Sequence, residues 1–397
     1  MRPWQALVQS LAVTGVNLRT LPGRLAPSAV AIVGMAGVVG VVVAVLSMAE
    51  GFRATMANTG RDDTVIVMRA GSDSEMTSIL LRDDMNVVRD AEEIARAASG
   101  PLVSAELFVI IDLVKASTGT TGNAPLRGVE PIAFQVRQVR MAEGRMFVPG
   151  RNELVVGRAA AREYRGLSVG STMRVGQNDW KVVGSFDAGG TVPDSELWCD
   201  ANVLAPLYQR GPSRQSVYAR LRDPGAFTAL KDRLTTDPRA KLMVMREREY
   251  YESQSRFVHS LITGLGTIIA LLMGIGAVFA AVNTMYSAVA SRTREIATLR
   301  ALGFGGLPVM ISVLAESMLL ALLGGAIGAA IAYAGFNGYQ AATMNWQSMS
   351  TIAFAFRVTP RLLVQGLAYA LVLGFIGGVL PAIRAARVPV VVALREL

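Results

Sequence analysis

The sequence predicts a membrane α-helical protein of four transmembrane helices with a large extracytoplasmic mixed α/β domain. Three observations carry that expectation. Of 397 residues, 52% are hydrophobic and only 17% charged, against roughly 25% charged in soluble domains. Four apolar stretches each reach the roughly 20 residues needed to cross a hydrocarbon core about 30 Å thick. A single long polar block lies between the first of these stretches and the second.

Taken in order, residues 1–27 form an N-terminal segment carrying Arg2, Arg19 and Arg24, and residues 28–50 the first span, charge-free from Ser28 to Ala49. This run exceeds the roughly 7–15-residue core of a cleaved signal peptide and follows a long leader, so it reads as a retained span. Residues 51–255 form the aqueous domain. The second span covers 256–290, a connector 291–306, the third span 307–336, a short loop 337–361, the fourth span 362–383 and a tail 384–397. Arginines concentrate in the N-terminal segment, in the connector (Arg292, Arg294, Arg300) and in the tail (Arg384, Arg387, Arg395); the short loop has only Arg357 and Arg361. Positive residues favour the cytoplasmic side, which puts both termini and the connector there and the large domain outside. The spans are rich in glycine, and Gly324 and Gly328 make a small-xxx-small pair suited to close helix packing.

In the aqueous domain, Thr64 to Arg69 and Glu153 to Val156 read as strands. Met173 to Val175 and Trp180 to Val183 read as a hairpin turning around Gly176 to Asp179. Helices are expected at Val87 to Ala98, where Val87, Ala91, Ile94 and Ala98 share a face, at Ala159 to Tyr164 and at Pro224 to Thr235. Leu242 to Met245 reads as a strand returning towards the membrane. Catalytic signals are absent. Cys199 is the only cysteine and His259 the only histidine, which excludes an intrachain disulfide and disfavours zinc. Asp187, Asp194 and Glu196 lack the spacing of a calcium loop and read as a solvated turn. The net charge of +9 has no basic patch interleaved with aromatics, so no nucleic-acid partner is expected.

The connector, SRTREIATLRALGFGG, leaves a span as a helix and stops at Gly303, Gly305 and Gly306. Ile296, Leu299 and Leu302 fall on one face, ringed by Arg292, Arg294, Glu295 and Arg300. A short apolar stripe in a charged ring suits docking into a partner's groove or lying at the membrane surface. Glu316 is the one charge inside the third span. An ion relay would need further charged groups at depth, and the other spans offer none. A contact to the connector arginines or to backbone is therefore expected.

The stretch SRTREIATLRALGF resembles the coupling-helix signature of the MacB/FtsX-like ABC transporter permeases, the type VII or mechanotransmission group. Further segments are similar in the same order: GVEP (Gly128–Pro131), EGRMF (Glu143–Phe147), NELVVG (Asn152–Gly157), VLAESMLLALLGGAIG in the third span, and GFIGGVLPAIRAARVPVVVALREL at the end. The tail departs from the pattern, with Val390–Val392 where the family has a shorter spacer containing an acid. The resemblance implies a permease subunit that is not itself an enzyme. ATP and Mg would belong to a separate ABC ATPase subunit that dimerises beneath two permease chains, identical or homologous, and this chain would bind no cofactor. No Gly-x-x-x-x-Gly-Lys-[Ser/Thr] loop occurs, and the only lysines, Lys115, Lys181, Lys231 and Lys241, lie in the aqueous domain. Arg292, Arg294, Glu295 and Arg300 would make the ionic ATPase contacts, with Ile296, Leu299 and Leu302 as the apolar anchor. ATP-driven closure would move the outer domain to export or extract a hydrophobic small molecule, peptide or lipid-linked cargo across the bacterial inner membrane. A periplasmic adaptor and outer-membrane channel would join it in a two-membrane cell. A lipoprotein-releasing permease and a signalling device that activates a cell-wall hydrolase share this plan.

Overall fold

A computed structural model describes Gln9 and residues 13–15 and 25–388. The segments holding Arg2, Arg19, Arg24, Val390–Val392 and Arg395 lie outside the described residues. In chain order the helices are α1 (Leu25–Asn58), α2 (Arg82–Arg89), α3 (Ala133–Val136), α4 (Arg158–Glu163), α5 (Ala201–Leu207), α6 (Phe227–Thr236), α7 (Glu247–Ser291), α8 (Thr293–Ala301), α9 (Gly306–Phe336) and α10 (Pro360–Ala386). The strands are β1 (Thr64–Arg69), β2 (Arg96–Ala97), β3 (Gly100–Pro101), β4 (Val103–Val114), β5 (Thr121–Val129), β6 (Arg140–Gly144), β7 (Glu153–Gly157), β8 (Thr172–Val175), β9 (Asn178–Asp187), β10 (Leu197–Asp200), β11 (Ser216–Arg220), β12 (Leu242–Arg246), β13 (Gln340–Asn345) and β14 (Ser350–Ala355). They form two compact units. The membrane unit holds the described residues up to Glu50, Leu261–Tyr339 and those from Phe356 on; the aqueous unit holds Gly51–Ser260 and Gln340–Ala355.

Among the described residues, α1, α7, α9 and α10 are the helices long and apolar enough to cross a membrane. In lipid the drive to associate is packing, so backbones approach where side chains are small. Gly324 of α9 meets α1: a Cβ there would stand 2.6 Å from the Ile32 carbonyl oxygen, and one on Gly328 would run into the Ala36 backbone. The same helix is tied to α10 by the Ser317 hydroxyl, which donates to the Gly374 carbonyl at 2.7 Å. Met35, Val39, Val43, Ala321, Ala370 and Leu373 fill the space between these helices. At the start of α10, Pro360 occupies the first turn and the Thr359 hydroxyl accepts from the Leu362 N–H at 3.4 Å.

The aqueous unit is built on a ten-stranded mixed sheet, order β12-β1-β11-β4-β5-β10-β7-β9-β6, with β8 paired to β9. The long strand β4 serves both halves. Its residues Val103 to Glu106 pair with β11, and Leu107 to Val114 pair with β5. One apolar core gathers Val65, Val67, Val88, Val217, Leu230 and Leu234 under α2 and α6. A second gathers Leu107, Leu126, Leu154, Trp180, Val182 and Leu204 under α4 and α5. The hairpin of β8 and β9 turns on Gly176 and Gln177, with Gly176 at a left-handed φ of 62°.

Two expectations are corrected. The helix expected over Val87 to Ala98 is α2, which ends at Arg89. Ala91 and Ile94 are buried as their spacing implies, but they reach the core through turns, and Ile94 bridges Leu221. The loop over 337–361 contains the hairpin β13–β14, whose Ala353 N–H donates to the Ser195 hydroxyl at 3.0 Å. Asn345 donates to the Gln254 side-chain oxygen at 2.8 Å.

Candidate functional site

The connector is a separate helix. The α-helical path of α7 breaks at Arg292 (φ −110°, ψ 10°), and α8 restarts at Thr293. At its other end Gly303 adopts φ +94°. The Phe304 N–H donates to the Leu299 carbonyl at 3.1 Å and the Gly303 N–H to that of Arg300 at 3.1 Å, the paired bonds of a Schellman stop. The sequence pattern thus ends the helix where glycine permits the left-handed turn.

Two arginines fasten this short helix to the spans that follow. Arg292 donates from Nη1 and Nη2 to Glu316 Oε2 and Oε1, both at 2.8 Å. The pair is buried, at 4% and 3% exposure. Arg300 donates from Nη1 to the carbonyls of Ala386 at 2.8 Å and Val388 at 3.1 Å, taking up acceptors that the end of α10 leaves without helical partners. Ile296 is buried with Met285, Val289, Val309, Val313, Ala382 and Ala385. The expected docking set therefore divides. Arg292 and Ile296 are turned inward in this chain, where one pairs with Glu316 and the other fills the core beneath α8. Arg294, Glu295 and Leu302 are exposed, Leu302 at 73%, while Leu299 and Arg300 are half-buried. Glu316 sits on α9 as an ion-pair partner, with no second charged side chain extending the chain into a relay among the described contacts.

The aqueous unit holds a second charged constellation, which sequence reasoning missed. It lies where β4 passes from β11 to β5. Arg127 of β5, 1% exposed, donates to Glu75 (Nη1–Oε1 2.6 Å, Nη2–Oε2 3.0 Å), to Glu196 (Nε–Oε2 and Nη2–Oε1, both 2.9 Å) and to Glu106 (3.1 Å). Arg137 lies beside it, donating to Glu247 at 3.2 Å and to the Tyr251 hydroxyl at 2.9 Å, with its guanidinium 4.2 Å from the centre of the Tyr218 ring. The Trp198 indole N–H and the Ser216 hydroxyl complete the shell on Glu196 and Glu75, at 2.7 and 2.6 Å. Four carboxylates thus face two guanidiniums, so full ionisation would leave a buried excess of negative charge, which is costly in a poorly solvated interior. Burial pushes the Glu106 carboxyl up to about 7, with Glu75 and Glu196 adding to the effect of burial and Arg137 and Arg127 opposing it. For Glu196 burial acts in the same direction but Arg127 and Arg137 outweigh it, holding the carboxyl below its ordinary range. Glu106 Oε1 has no hydrogen-bond partner among the described residues. The signal in the sequence was a charge in mid-strand, Glu106 immediately ahead of the apolar run Leu107 to Ile111 in β4.

The turn around Gly189 is likewise more ordered than its composition implied. Asp194 and Glu196 are buried. Asp194 accepts from the N–H groups of Ala188 and Gly190, both at 2.6 Å, and Asp187 from that of Gly189 at 2.8 Å. Asp194 thus caps backbone and Glu196 meets Arg127, whereas Asp187 stays partly exposed and pairs with Arg158. Among the described residues no three His, Cys, Asp or Glu side chains are grouped to hold a metal. Cys199 on β10 is fully buried, with its sulfur 3.7 Å from the Arg127 carbonyl, and burial raises its thiol well above the ordinary range.

Residues 28–237 match the model of the MacB-like periplasmic core domain, and residues 267–390 that of the FtsX-like permease C-terminal region. A macrolide export ATP-binding/permease protein MacB of Bdellovibrio bacteriovorus is 22% identical over 417 residues, covering 96% of this chain and 61% of that protein. The MacB of Escherichia coli is 26% identical over 301 residues, covering 70% of this chain and 44% of its own. A probable syringafactin export ATP-binding/permease protein SyfD of Pseudomonas syringae is 25% identical, covering 68% and 42%. The chain therefore spans between about two fifths and three fifths of the length of these relatives. Among solved structures, the periplasmic region of MacB from Actinobacillus actinomycetemcomitans aligns with a TM-score of 0.37 at 15% identity, covering 48% of this chain and 92% of that one. The extracellular domain of the transporter YknZ aligns with a TM-score of 0.35 at 15% identity, covering 46% and all of that chain.

Proposed function

Because this chain belongs to the MacB-like family of ABC transporter permeases, we propose that it is the permease subunit of an exporter whose ATPase is a separate polypeptide. The observation that carries the reading is the anchoring of α8. A helix that only lay on a membrane surface would need no buried tie to its neighbours. This one is fixed to α9 through Arg292 and Glu316 and to the end of α10 through Arg300, while Arg294, Glu295 and Leu302 face outward. A push on the exposed face is thereby delivered to several spans at once. Both termini and α8 lie on the cytoplasmic side of the inner membrane in this reading, and the sheet domain lies outside. Two permease chains sit over an ATPase dimer that carries the ATP and Mg. The cargo is a hydrophobic small molecule, peptide or lipid-linked molecule, in keeping with the export named for the relatives. No wide polar channel through the bundle is required, since ATP-driven closure would act on the outer domain.

The test is co-purification of the intact chain with a candidate ABC ATPase from the same genome, comparing wild type with Glu295→Arg plus Leu302→Asp, two positions on the exposed face. Loss of the ATPase from a permease that still inserts and melts normally is the expected result. Retention of the ATPase at wild-type level would remove α8 as the coupling element.

A further inference from the structure

The aqueous unit contains an open cleft of about 430 Å³ that neither the connector nor the buried charge constellation involves. Its charged wall is made by Arg82 and Arg89 of α2, by Glu130 just after β5, and by Arg214 ahead of β11. Arg214 is 9% exposed, yet its hydrogen bonds all go to uncharged oxygens: the carbonyls of Gly211 at 3.4 Å and Ser213 at 2.9 Å, and the Asn202 side chain at 2.9 Å. Burial pulls its guanidinium below the ordinary value, as expected for a cation taken from water without a contacting anion. The nearest acids are already engaged. Glu130 is held by Arg89, and Asp200 accepts from the N–H groups of Gly150 at 2.7 Å and Asn202 at 2.9 Å. Three guanidiniums and one carboxylate therefore line a cleft that Asn86 and Asn202 also face, and whose apolar wall is made by Met85, Ala105 and Pro206. The strand-like segment bridged to Arg214 through Leu80 also turns Ile79 and Leu81 outward, at 44% and 55% exposure.

We propose that this cleft binds a small organic anion, its carboxylate or phosphate held by Arg82, Arg89 and Arg214 and its apolar body lying over Met85, Ala105 and Pro206. Guanidinium forks match both anions with paired hydrogen bonds. A volume of this size, with several convergent polar groups beside an apolar wall, falls in the range of small-ligand sites. Glu130 acts as an internal competitor, occupying Arg89 when the ligand is absent. The inference stands on the aqueous unit alone, so the coupling reading can fail without touching it.

The experiment uses the full chain in lipid nanodiscs and ligand-observed saturation-transfer NMR with three soluble probes: benzoate, phenyl phosphate and neutral benzamide. Saturable binding of an anion, with no comparable binding of benzamide, is expected. The tighter of the two anions identifies the head group. Glu130→Gln frees Arg89 and should tighten the preferred anion about tenfold, while Arg82→Gln, at an exposed position, should weaken it about tenfold. A merely structural role for Glu130 would not produce tighter binding. The proposal is overturned if neither anion saturates, if benzamide binds equally well, or if anion binding is unchanged by Arg82→Gln. Should Glu130→Gln melt below wild type, the Arg82→Gln comparison alone decides.

Discussion

Glu106→Gln should stabilise the aqueous unit at alkaline pH, although it removes one of the acids facing Arg127 and Arg137. In the folded chain the Glu106 carboxyl is pushed up to about 7 from an ordinary value of 4.5. A carboxyl raised on folding contributes stability that is fully present below its unfolded value and lost as pH rises through its folded value. Here that window runs from 4.5 to about 7. At about 1.4 kcal/mol for each tenfold change in proton affinity, wild type loses about 3 kcal/mol across it. Glutamine cannot ionise and loses nothing. Its amide can turn its oxygen to Arg127, but its N–H groups then occupy the place of Glu106 Oε1, which has no partner among the described residues, at a cost of about 1 kcal/mol. The variant should therefore be more stable than wild type by about 2 kcal/mol at pH 8 and less stable by about 1 kcal/mol near pH 4.5. For a unit of this size the alkaline gain is a rise in Tm of roughly 4–8 °C. Thermal unfolding of the full chain in nanodiscs, followed by tryptophan fluorescence, reads the change directly, because Trp198 donates to Glu196 inside the same constellation. A variant less stable than wild type throughout, or a difference that does not change sign between acid and alkali, would refute the charge argument. Glu196, whose carboxyl is lowered, contributes in the opposite sense. Its stabilisation is present above the ordinary carboxylate value and is lost as pH falls through its own.

Two further predictions concern the membrane unit. Gly328→Val places a side chain against the Ala36 backbone and should separate α1 from α9 at a cost of about 3 kcal/mol, the upper end of overpacking penalties. A lowered melting midpoint in detergent would show it, with Gly335→Val, which meets nothing within 4 Å, leaving the midpoint unmoved. Glu316→Leu strands Arg292 as a buried cation, with a cost of about 3–5 kcal/mol expected for breaking such a pair. Trypsin should then cut faster around Arg292 and Arg294, and a cleavage rate equal to wild type would show that the pair does not hold α8 in place.

What could be read from the sequence was mostly what local pattern determines. Apolar length marked the spans, short alternating runs marked the β8–β9 hairpin, and Gly303 marked the end of α8, each a property of a few consecutive residues. The misreadings arise where partners are distant in sequence. Ala91 and Ile94 have helical spacing, but a turn buries them equally well once β11 is there to receive them. The hairpin β13–β14 looked like a loop because its partners, Ser195 and Gln254, belong to other parts of the chain. Arg127 and Glu106 meet only through the register that sets Arg127 opposite Phe108. A helical wheel over the connector likewise treats Arg292 as part of the helix surface, whereas the backbone break at that residue sends its side chain to Glu316.

The position of Cys199 makes the chain its own reporter. It is the sole cysteine, buried in the second apolar core of the aqueous unit with its sulfur against the Arg127 carbonyl. A buried thiol held in its protonated form does not react with water-soluble reagents. Any alkylation of the native chain therefore times the opening of the structure around that one residue, with no label to install. A cysteine introduced at an exposed site such as Leu302 would be the one thiol that answers immediately, so a single reagent can clock the slow interior and the accessible surface in the same sample.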